Sequence, residues 1–290
     1  MNRIDNPNAA ARGGAYAAYA AYDKGAALDF FEAAGTLETV APGETLFVEH
    51  QKAGRLALHR DKMYLLVQGE IDIMAARKPI GAVKAGEIFG EMGLLSGSAR
   101  SATAVARTAC RVIGLDEEQL RRGLEMKPEF VLMLARLMIV RLRDTLARLR
   151  VANAIAEDSS GRQSALFGSA QLAELENELA NAARVRFAPG DTILREGASG
   201  ILMYVVLEGC VSASIQGRIV ERIGPGGVLG EIALVDHAPR VASAMALADC
   251  TLLAINRIAF LQLLQKRPEF GTSLLRGLSD RLRFLIAHGR

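Results

Sequence analysis

Two segments of this sequence, residues 89–100 and 229–240, combine a glycine, a glutamate and an arginine at the same spacing. The residues are Gly90, Glu91 and Arg100 in the first segment and Gly230, Glu231 and Arg240 in the second. A glycine turn that leads into one helical turn exposes unpaired backbone N–H groups, and arginine adds a planar fork of donors that fits two phosphate oxygens. Glutamate disfavours a phosphate but can accept a hydrogen bond from a sugar hydroxyl. Each segment therefore suits a ligand that presents one phosphate beside one free sugar hydroxyl.

A 3′,5′-cyclic nucleotide meets this description, because it carries a single negative charge and a free 2′-OH. Two alternatives stay open at this point. The same residues also fit a plain glycine turn with a carboxylate at a helix start and a surface arginine. The first segment also fits a related fold whose pocket has drifted and no longer binds a ligand.

The two segments belong to a repeat that spans most of the chain. Positions 140 residues apart match from the middle of each copy to its end, as in Gly69 and Gly209, or in the Arg-Leu-Arg triplets that start at Arg141 and Arg281. Further upstream the spacing is 147 residues, and we expect the extra residues of the first copy to form a longer surface loop within the polar stretch 49–62. Such a period is too long for a solenoid repeat and indicates two copies of a whole domain.

Within each copy, short strand-like runs precede helical patterns. The runs are rich in β-branched residues and are separated by glycine or Pro-Gly, which favours antiparallel strands. After the Gly-Glu segment, two more strand patterns lead into a short helix and then a long one, whose apolar residues recur at three- and four-residue steps from Leu132 to Leu149 and from Leu274 to Leu285. The predicted fold is a mixed β-roll plus α-helices, with two tandem jelly-roll domains that are each flanked by helices.

We expect four segments along the chain. They are an Ala-rich N-terminal helical segment (1–35), a first domain with its long helix (36–157), a linker helix (158–182) and a second domain (183–290). The N-terminal segment carries Tyr16, Tyr19 and Tyr22 at three-residue spacing. This pattern fits a marginal helix that packs locally, a partner-binding helix or a disordered stretch.

The composition narrows the class of protein. The 290 residues contain 35 basic and 32 acidic side chains and no Trp, so we expect neither DNA nor an anionic membrane as a partner. No apolar run reaches the about 18 residues of a membrane-spanning helix, and the first residues lack a signal-peptide pattern. Three widely spaced cysteines favour free thiols and a cytoplasmic protein. Without a metal-ligand spacing, a nucleophile–base set or a P-loop, we expect neither an enzyme nor a cofactor.

Several motifs that both copies share carry a family resemblance. They are Pro-Gly-x-x-[Leu/Ile], an interior glycine, [Phe/Leu]-Gly-Glu-[Met/Ile]-[Gly/Ala]-Leu and [Ala/Pro]-Arg-[Ser/Val]-Ala-[Thr/Ser]. Residues 36–149 and 183–286 thereby resemble the cyclic nucleotide-binding domains of catabolite activator protein and of protein kinase A regulatory subunits. The resemblance implies eight-stranded β-rolls in which the glutamate binds the ribose 2′-OH, the arginine binds the cyclic phosphate and backbone amides of the short helix assist. These roles fall on Gly90, Glu91, Met92 and Arg100 in the first copy, and on Gly230, Glu231, Ile232 and Arg240 in the second.

The copies depart from the family pattern in their phosphate loops. The first copy has Gly93 and Ala99 where alanine and proline are usual, and we expect this to loosen its loop. The second copy keeps the usual alanine and proline at these positions but has Leu229 in place of the usual phenylalanine.

Other differences bear on the base. After the arginine, Ser101 offers a hydroxyl to the phosphate or to guanine, whereas Val241 offers none, which favours adenine over guanine. On the long helix, Thr145 is either a contact to the adenine of the first copy, as the resemblance implies, or a solvated residue. Leu285 has the matching place in the second copy, where apolar contact or the other copy would cover the base.

We therefore predict a sensor of cAMP, with cGMP or a cyclic dinucleotide as alternative ligands, that signals to an unidentified protein partner by rearranging its helices. The leucine stripe 132–149 packs on its own roll or on a second chain, so a homodimer is possible. The Arg-Leu-Arg triplets are expected to be solvated.

A transcription factor is not expected, because residues 156–183 are too few for a helix-turn-helix domain and nothing follows the second roll. An Arg-Arg-x-Ser/Ala pseudosubstrate for a kinase is also missing.

Overall fold

The computed structural model describes residues 22–52, 61–158, 163–179 and 182–288, which form two compact units. The first-roll unit contains residues 23–134 and 262–288, and the second-roll unit contains residues 135–261. Most of the expected N-terminal helical segment, including Tyr16 and Tyr19, lies outside the described residues. The four-segment division of the chain stays a prediction.

The first roll consists of two four-stranded antiparallel sheets, with strand orders β1-β8-β3-β6 and β2-β7-β4-β5. The strands are β1 (Thr36–Val40), β2 (Thr45–Phe47), β3 (Lys62–Gln68), β4 (Glu70–Ala75), β5 (Lys78–Lys84), β6 (Ile88–Phe89), β7 (Thr103–Ala106) and β8 (Cys110–Asp116). Their inward side chains, among them Leu66, Ile71 and Val112, form one buried cluster. Burying these apolar side chains is what holds the two sheets together.

The second roll repeats this design with one addition. The strands are β9 (Gln163–Ser164), β10 (Arg184–Phe187), β11 (Thr192–Leu194), β12 (Leu202–Glu208), β13 (Val211–Ile215), β14 (Arg218–Ile223), β15 (Val228–Leu229), β16 (Ser243–Ala246) and β17 (Cys250–Asn256). A four-stranded sheet β10-β17-β12-β15 faces a five-stranded sheet β11-β16-β13-β14-β9, in which β9 pairs in parallel with β14. The predicted pair of β-rolls is therefore confirmed.

The helices include the two long ones that the apolar periodicity predicted. They are α1 (Lys24–Ala34), α2 (Glu91–Ser96), α3 (Glu117–Met126), α4 (Phe130–Val151), α5 (Ser169–Glu178), α6 (Glu231–Asp236), α7 (Arg257–Lys266) and α8 (Pro268–His288). Helix α3 begins at a capping box in which Asp116 and Gln119 satisfy each other's backbone N–H groups. Within the described residues, no helix has the length and apolarity that a membrane span requires.

The long helices are exchanged between the copies. Helix α4 follows the first roll in sequence, but from Ala135 onward it belongs to the second-roll unit. Helix α8 follows the second roll and belongs to the first-roll unit, where it packs against α2. The leucine stripe predicted packing on the same roll or on a second chain, and neither describes this arrangement. Each roll instead takes its long helix from the other half of the same chain.

Candidate functional site

The Gly-Glu pairs mark the start of short helices in both rolls. Gly90 caps α2 with φ of 76°, and Gly230 caps α6 with φ of 84°. Residues other than glycine rarely adopt this left-handed backbone conformation, which explains why both copies have glycine here. The turn places the next residue, Glu91 or Glu231, in the first turn of its helix and in the protein interior.

The arginine of the first copy is buried, with a side chain that is 4% exposed. Its two terminal nitrogens donate hydrogen bonds to the carbonyl oxygens of Gly90 and Lys62, each at 2.7 Å. Asp61 forms an ion pair with Arg100 at 3.1 Å, and the guanidinium carbon lies 4.3 Å from the ring centre of Phe47. The Nε atom is buried and has no hydrogen-bond partner among the described residues. A buried donor of this kind is what an incoming anion can satisfy.

The arginine of the second copy has the same backbone partners. Arg240 donates hydrogen bonds to the carbonyl oxygens of Gly230 and Leu202, each at 2.6 Å. The residues that hold Arg100 from the side are replaced, because Ile201 stands at the position of Asp61 and Leu194 at that of Phe47. The two guanidinium groups are therefore placed alike, but the first has an internal carboxylate and an aromatic ring beside it.

Backbone hydrogen bonds fix each arginine to the loop after the second strand of its roll. Arg100 accepts a bond from the amide of His50 and donates one to the carbonyl of Gln51. Arg240 makes the same pair of bonds with Gly197 and Ala198. In both copies the arginine backbone is thus anchored through its N–H and its C=O.

The glutamates are as deeply buried as the arginines. Glu91 and Glu231 are each 1% exposed. Burial lowers the pKa of Arg100, and the nearby acidic groups Asp61, Tyr64 and Glu91 oppose this effect. Burial also lowers the pKa of Arg240, with Glu231 and then Tyr204 acting in the opposite direction. In each copy the carboxylate and the guanidinium therefore share one low-dielectric environment.

The other predicted site residues are distributed between the units. Met92 and Ile232 are buried in the short helices, and Ser101 lies 4.0 Å from the Met92 sulfur. Val241 is half-buried directly after Arg240. Thr145 is buried in the second-roll unit, where its hydroxyl donates to the carbonyl of Arg141, so the alternative of a solvated residue was wrong. Its contact with adenine stays a prediction.

Contacts from the exchanged helices were missed by the sequence analysis. In the first-roll unit, Ser279 donates to the carbonyl of Met92 at 3.0 Å, and Arg283 donates to the carbonyl of Ala99 at 2.6 Å. Arg283 is the last residue of an Arg-Leu-Arg triplet that was expected to be solvated, and for this side chain the expectation was wrong. The recurrence of the triplet in both copies was the available signal.

The second-roll unit contains the equivalent contacts. Arg143, 140 residues before Arg283, forms an ion pair with Asp236 at 2.5 Å and donates to the carbonyl of Pro239 at 3.0 Å. Its side chain is 14% exposed, so the expectation of a solvated residue was wrong here as well. Arg150 from the same helix donates to the carbonyl of Val241 at 3.0 Å. Helix α4 thus contacts the carbonyls on both sides of Arg240.

A cavity of about 360 Å³ adjoins Arg240 in the second roll. Its walls come from β11, from the loop 198–201 and from the start of β12, including Tyr204. Polar and apolar surface both line it. In the part of the chain that the structure describes, no cluster of side chains is arranged to hold a metal ion.

Fold and site together define a protein with two β-rolls, each of which buries a Glu–Arg pair at a glycine-capped helix. The family model for the cyclic nucleotide-binding domain matches residues 37–126 and 184–267, which is more than half of the chain. The chain therefore belongs to the cyclic nucleotide-binding domain family, with two domains in tandem. This family is a ligand-binding one and not a catalytic one.

Solved structures provide a further comparison. The regulatory domain of Toxoplasma gondii PKA with cAMP is 20% identical over 82% of this chain and 85% of its own, with a TM-score of 0.29. The regulatory subunit of a cAMP-independent protein kinase A from Trypanosoma brucei is 20% identical over 81% and 80%, with a TM-score of 0.30. Thermus thermophilus catabolite activator protein is 33% identical over 41% and 59%, with a TM-score of 0.36. These scores are low, so the family assignment rests on the sequence match alone.

Proposed function

We propose that this protein is a cAMP sensor with two ligand sites, one in each roll. The observation that carries the proposal is the buried Glu–Arg pair of each roll, whose arginine has equivalent backbone partners in both copies, in a chain that belongs to this family. Arg100 and Arg240 bind the cyclic phosphate through guanidinium N–H groups that their carbonyl partners leave available. Glu91 and Glu231 accept a hydrogen bond from the ribose 2′-OH.

We also propose which base the protein prefers and how ligand binding reaches a protein partner. Val241 offers no hydroxyl for a guanine, so adenine is the preferred base in the second site, with cGMP or a cyclic dinucleotide as alternatives. Ligand binding draws in the loop around each arginine, shifts the helix that contacts it and changes the surface presented to a protein partner. The sensor is not an enzyme and needs no cofactor. Its three free cysteines fit the cytoplasm.

Isothermal calorimetry and thermal shift with cAMP, cGMP and a cyclic dinucleotide test this proposal. We expect two binding events in the wild type, one in Arg100→Ala or Arg240→Ala and none in the double variant. Ligand at 100 times its Kd should stabilise a binding unit by about 2.7 kcal/mol. Arg276→Ala is the matched control, because this arginine is exposed on α8. A wild type that does not respond to any of these ligands would refute the function.

The role of the glutamates has a separate test. 2′-Deoxy-cAMP lacks the hydroxyl that Glu91 and Glu231 are proposed to bind, and loss of a hydrogen bond to a charged group costs about 1.5–3 kcal/mol. We expect the analogue to bind the wild type at least tenfold more weakly than cAMP. A Glu91→Ala, Glu231→Ala variant should bind both nucleotides equally. Unequal binding by that variant would assign the hydroxyl to another residue.

The alternative candidate is a protein in which only the site of the second roll binds a ligand. Asp61 already supplies Arg100 with a carboxylate at 3.1 Å, whereas Ile201 stands at this position in the second copy. The calorimetric experiment separates the candidates. One binding event that Arg240→Ala abolishes and Arg100→Ala leaves unchanged would establish the single-site protein.

A further inference from the structure

We propose that Arg143 and Arg283 position the phosphate loops, and that each acts on the roll of the other copy. Arg143 follows the first roll in sequence and holds the loop of the second, and Arg283 follows the second roll and holds the loop of the first. They are positioning residues and not ligand contacts. This inference rests on the proposed function, because it concerns the loops that carry Arg100 and Arg240.

The contacts are equivalent and directed at one point of each loop. Arg283 donates at 2.6 Å to the carbonyl of Ala99, the residue before Arg100. Arg143 donates at 3.0 Å to the carbonyl of Pro239, the residue before Arg240. A hydrogen bond to this carbonyl fixes the peptide plane that leads into the phosphate-binding arginine, and thereby the direction in which its side chain leaves the backbone. The same contact at the same place in two divergent copies indicates a shared role.

Additional contacts show how firmly each loop is held. In the second-roll unit, Arg143 also pairs with Asp236 at the end of α6, and both side chains are less than 15% exposed. Removing Arg143 would leave the poorly solvated Asp236 carboxylate without this partner, which costs more than the loss of a surface ion pair. In the first-roll unit, Ser279 adds a hydrogen bond from α8 to Met92. We therefore expect the larger effect from Arg143, since it contributes both an ion pair and a carbonyl contact.

Calorimetry on the 290-residue chain with one binding site left intact tests the proposal. In the Arg100→Ala background only the second site remains, and adding Arg143→Ala should weaken cAMP binding there about tenfold, whereas adding Arg283→Ala should not. In the Arg240→Ala background only the first site remains, and Arg283→Ala should weaken it about fivefold, whereas Arg143→Ala should not. Arg143→Lys and Arg283→Lys should restore most of the affinity, because lysine can also donate to the carbonyl. Arg276→Ala is the charge-matched control in both backgrounds.

Hydrogen exchange on the ligand-free chain supplies a second measurement that needs no nucleotide. Arg143→Ala should speed amide exchange in residues 236–241 and leave residues 96–101 unchanged, and Arg283→Ala should do the reverse. The proposal would be overturned if either variant weakened both sites equally or weakened neither. It would also be overturned if Arg143→Ala sped exchange in the first roll or Arg283→Ala sped exchange in the second. If the wild type binds no cyclic nucleotide, the proposed function fails, and the exchange pattern alone decides whether the arginines position the loops.

Discussion

Replacement of Asp61 by asparagine isolates the charge that distinguishes the first site from the second. Asp61 lies 3.1 Å from Arg100, and the two side chains are 14% and 4% exposed, so the pair has little solvent screening. Breaking a buried pair costs about 3–5 kcal/mol. Arg100 keeps its bonds to Gly90 and Lys62, and asparagine still offers an oxygen, so we expect a smaller loss of about 2 kcal/mol. For a unit of this size, that loss lowers the melting temperature by roughly 4–8 °C.

Scanning calorimetry of the full chain, with and without saturating cAMP, measures this effect. Asp29→Asn is the matched control, because Asp29 is exposed on α1 in the same unit. Without ligand, Asp61→Asn should melt well below the control. With cAMP, the phosphate replaces the missing charge beside Arg100, so the variant should gain more stability from the ligand than the wild type does.

A double-mutant cycle with Arg100→Ala separates the charge pair from other effects of the substitution. We expect a coupling energy of about 1–2 kcal/mol between the two positions, in the range usual for residues in contact. A cycle that closes to zero, or melting temperatures for Asp61→Asn and Asp29→Asn within about 1 °C of each other, would refute the view that Asp61 neutralises Arg100.

Three further outcomes can be measured. A Cβ at Gly200 would lie 2.1 Å from an Arg240 terminal nitrogen, so Gly200→Ala should displace the guanidinium and abolish the second calorimetric binding event while the first remains. Burial, with smaller effects of Glu38 and Asp61, raises the pKa of Tyr64 to about 12. The stability that this tyrosine contributes is present below pH 10, and about 3 kcal/mol of it is lost as the pH rises toward 12. The free energy of unfolding of the Tyr64→Phe variant, measured by denaturation over this pH range, should not show this loss. Burial and the charges of Arg257 and Arg136 lower the pKa of His237, so protonation of this histidine lowers the free energy of unfolding as the pH drops below about 6.5. The His237→Gln variant should lack this pH dependence, which urea denaturation between pH 7 and 5 measures.

The amino-acid sequence alone predicted the duplicated β-roll and the glycine-led Glu–Arg segments. These features depend on short-range physics, because a left-handed turn needs glycine at Gly90 and Gly230, and alternating apolar residues need a sheet face to cover. The repeat strengthened each inference, since two copies with the same spacing make coincidence improbable. Family membership follows from the same sequence pattern.

Which groups surround each arginine was decided only by tertiary structure. Asp61 and Phe47 are far from Arg100 in sequence, and only the folded roll brings their side chains beside it. The exchange of α4 and α8 was also beyond local reasoning, because the apolar stripe of a helix shows that it must be covered but not by which surface. The roles of Arg143 and Arg283 depend on that choice, since in a helix packed on its own roll the same side chains would meet different carbonyls.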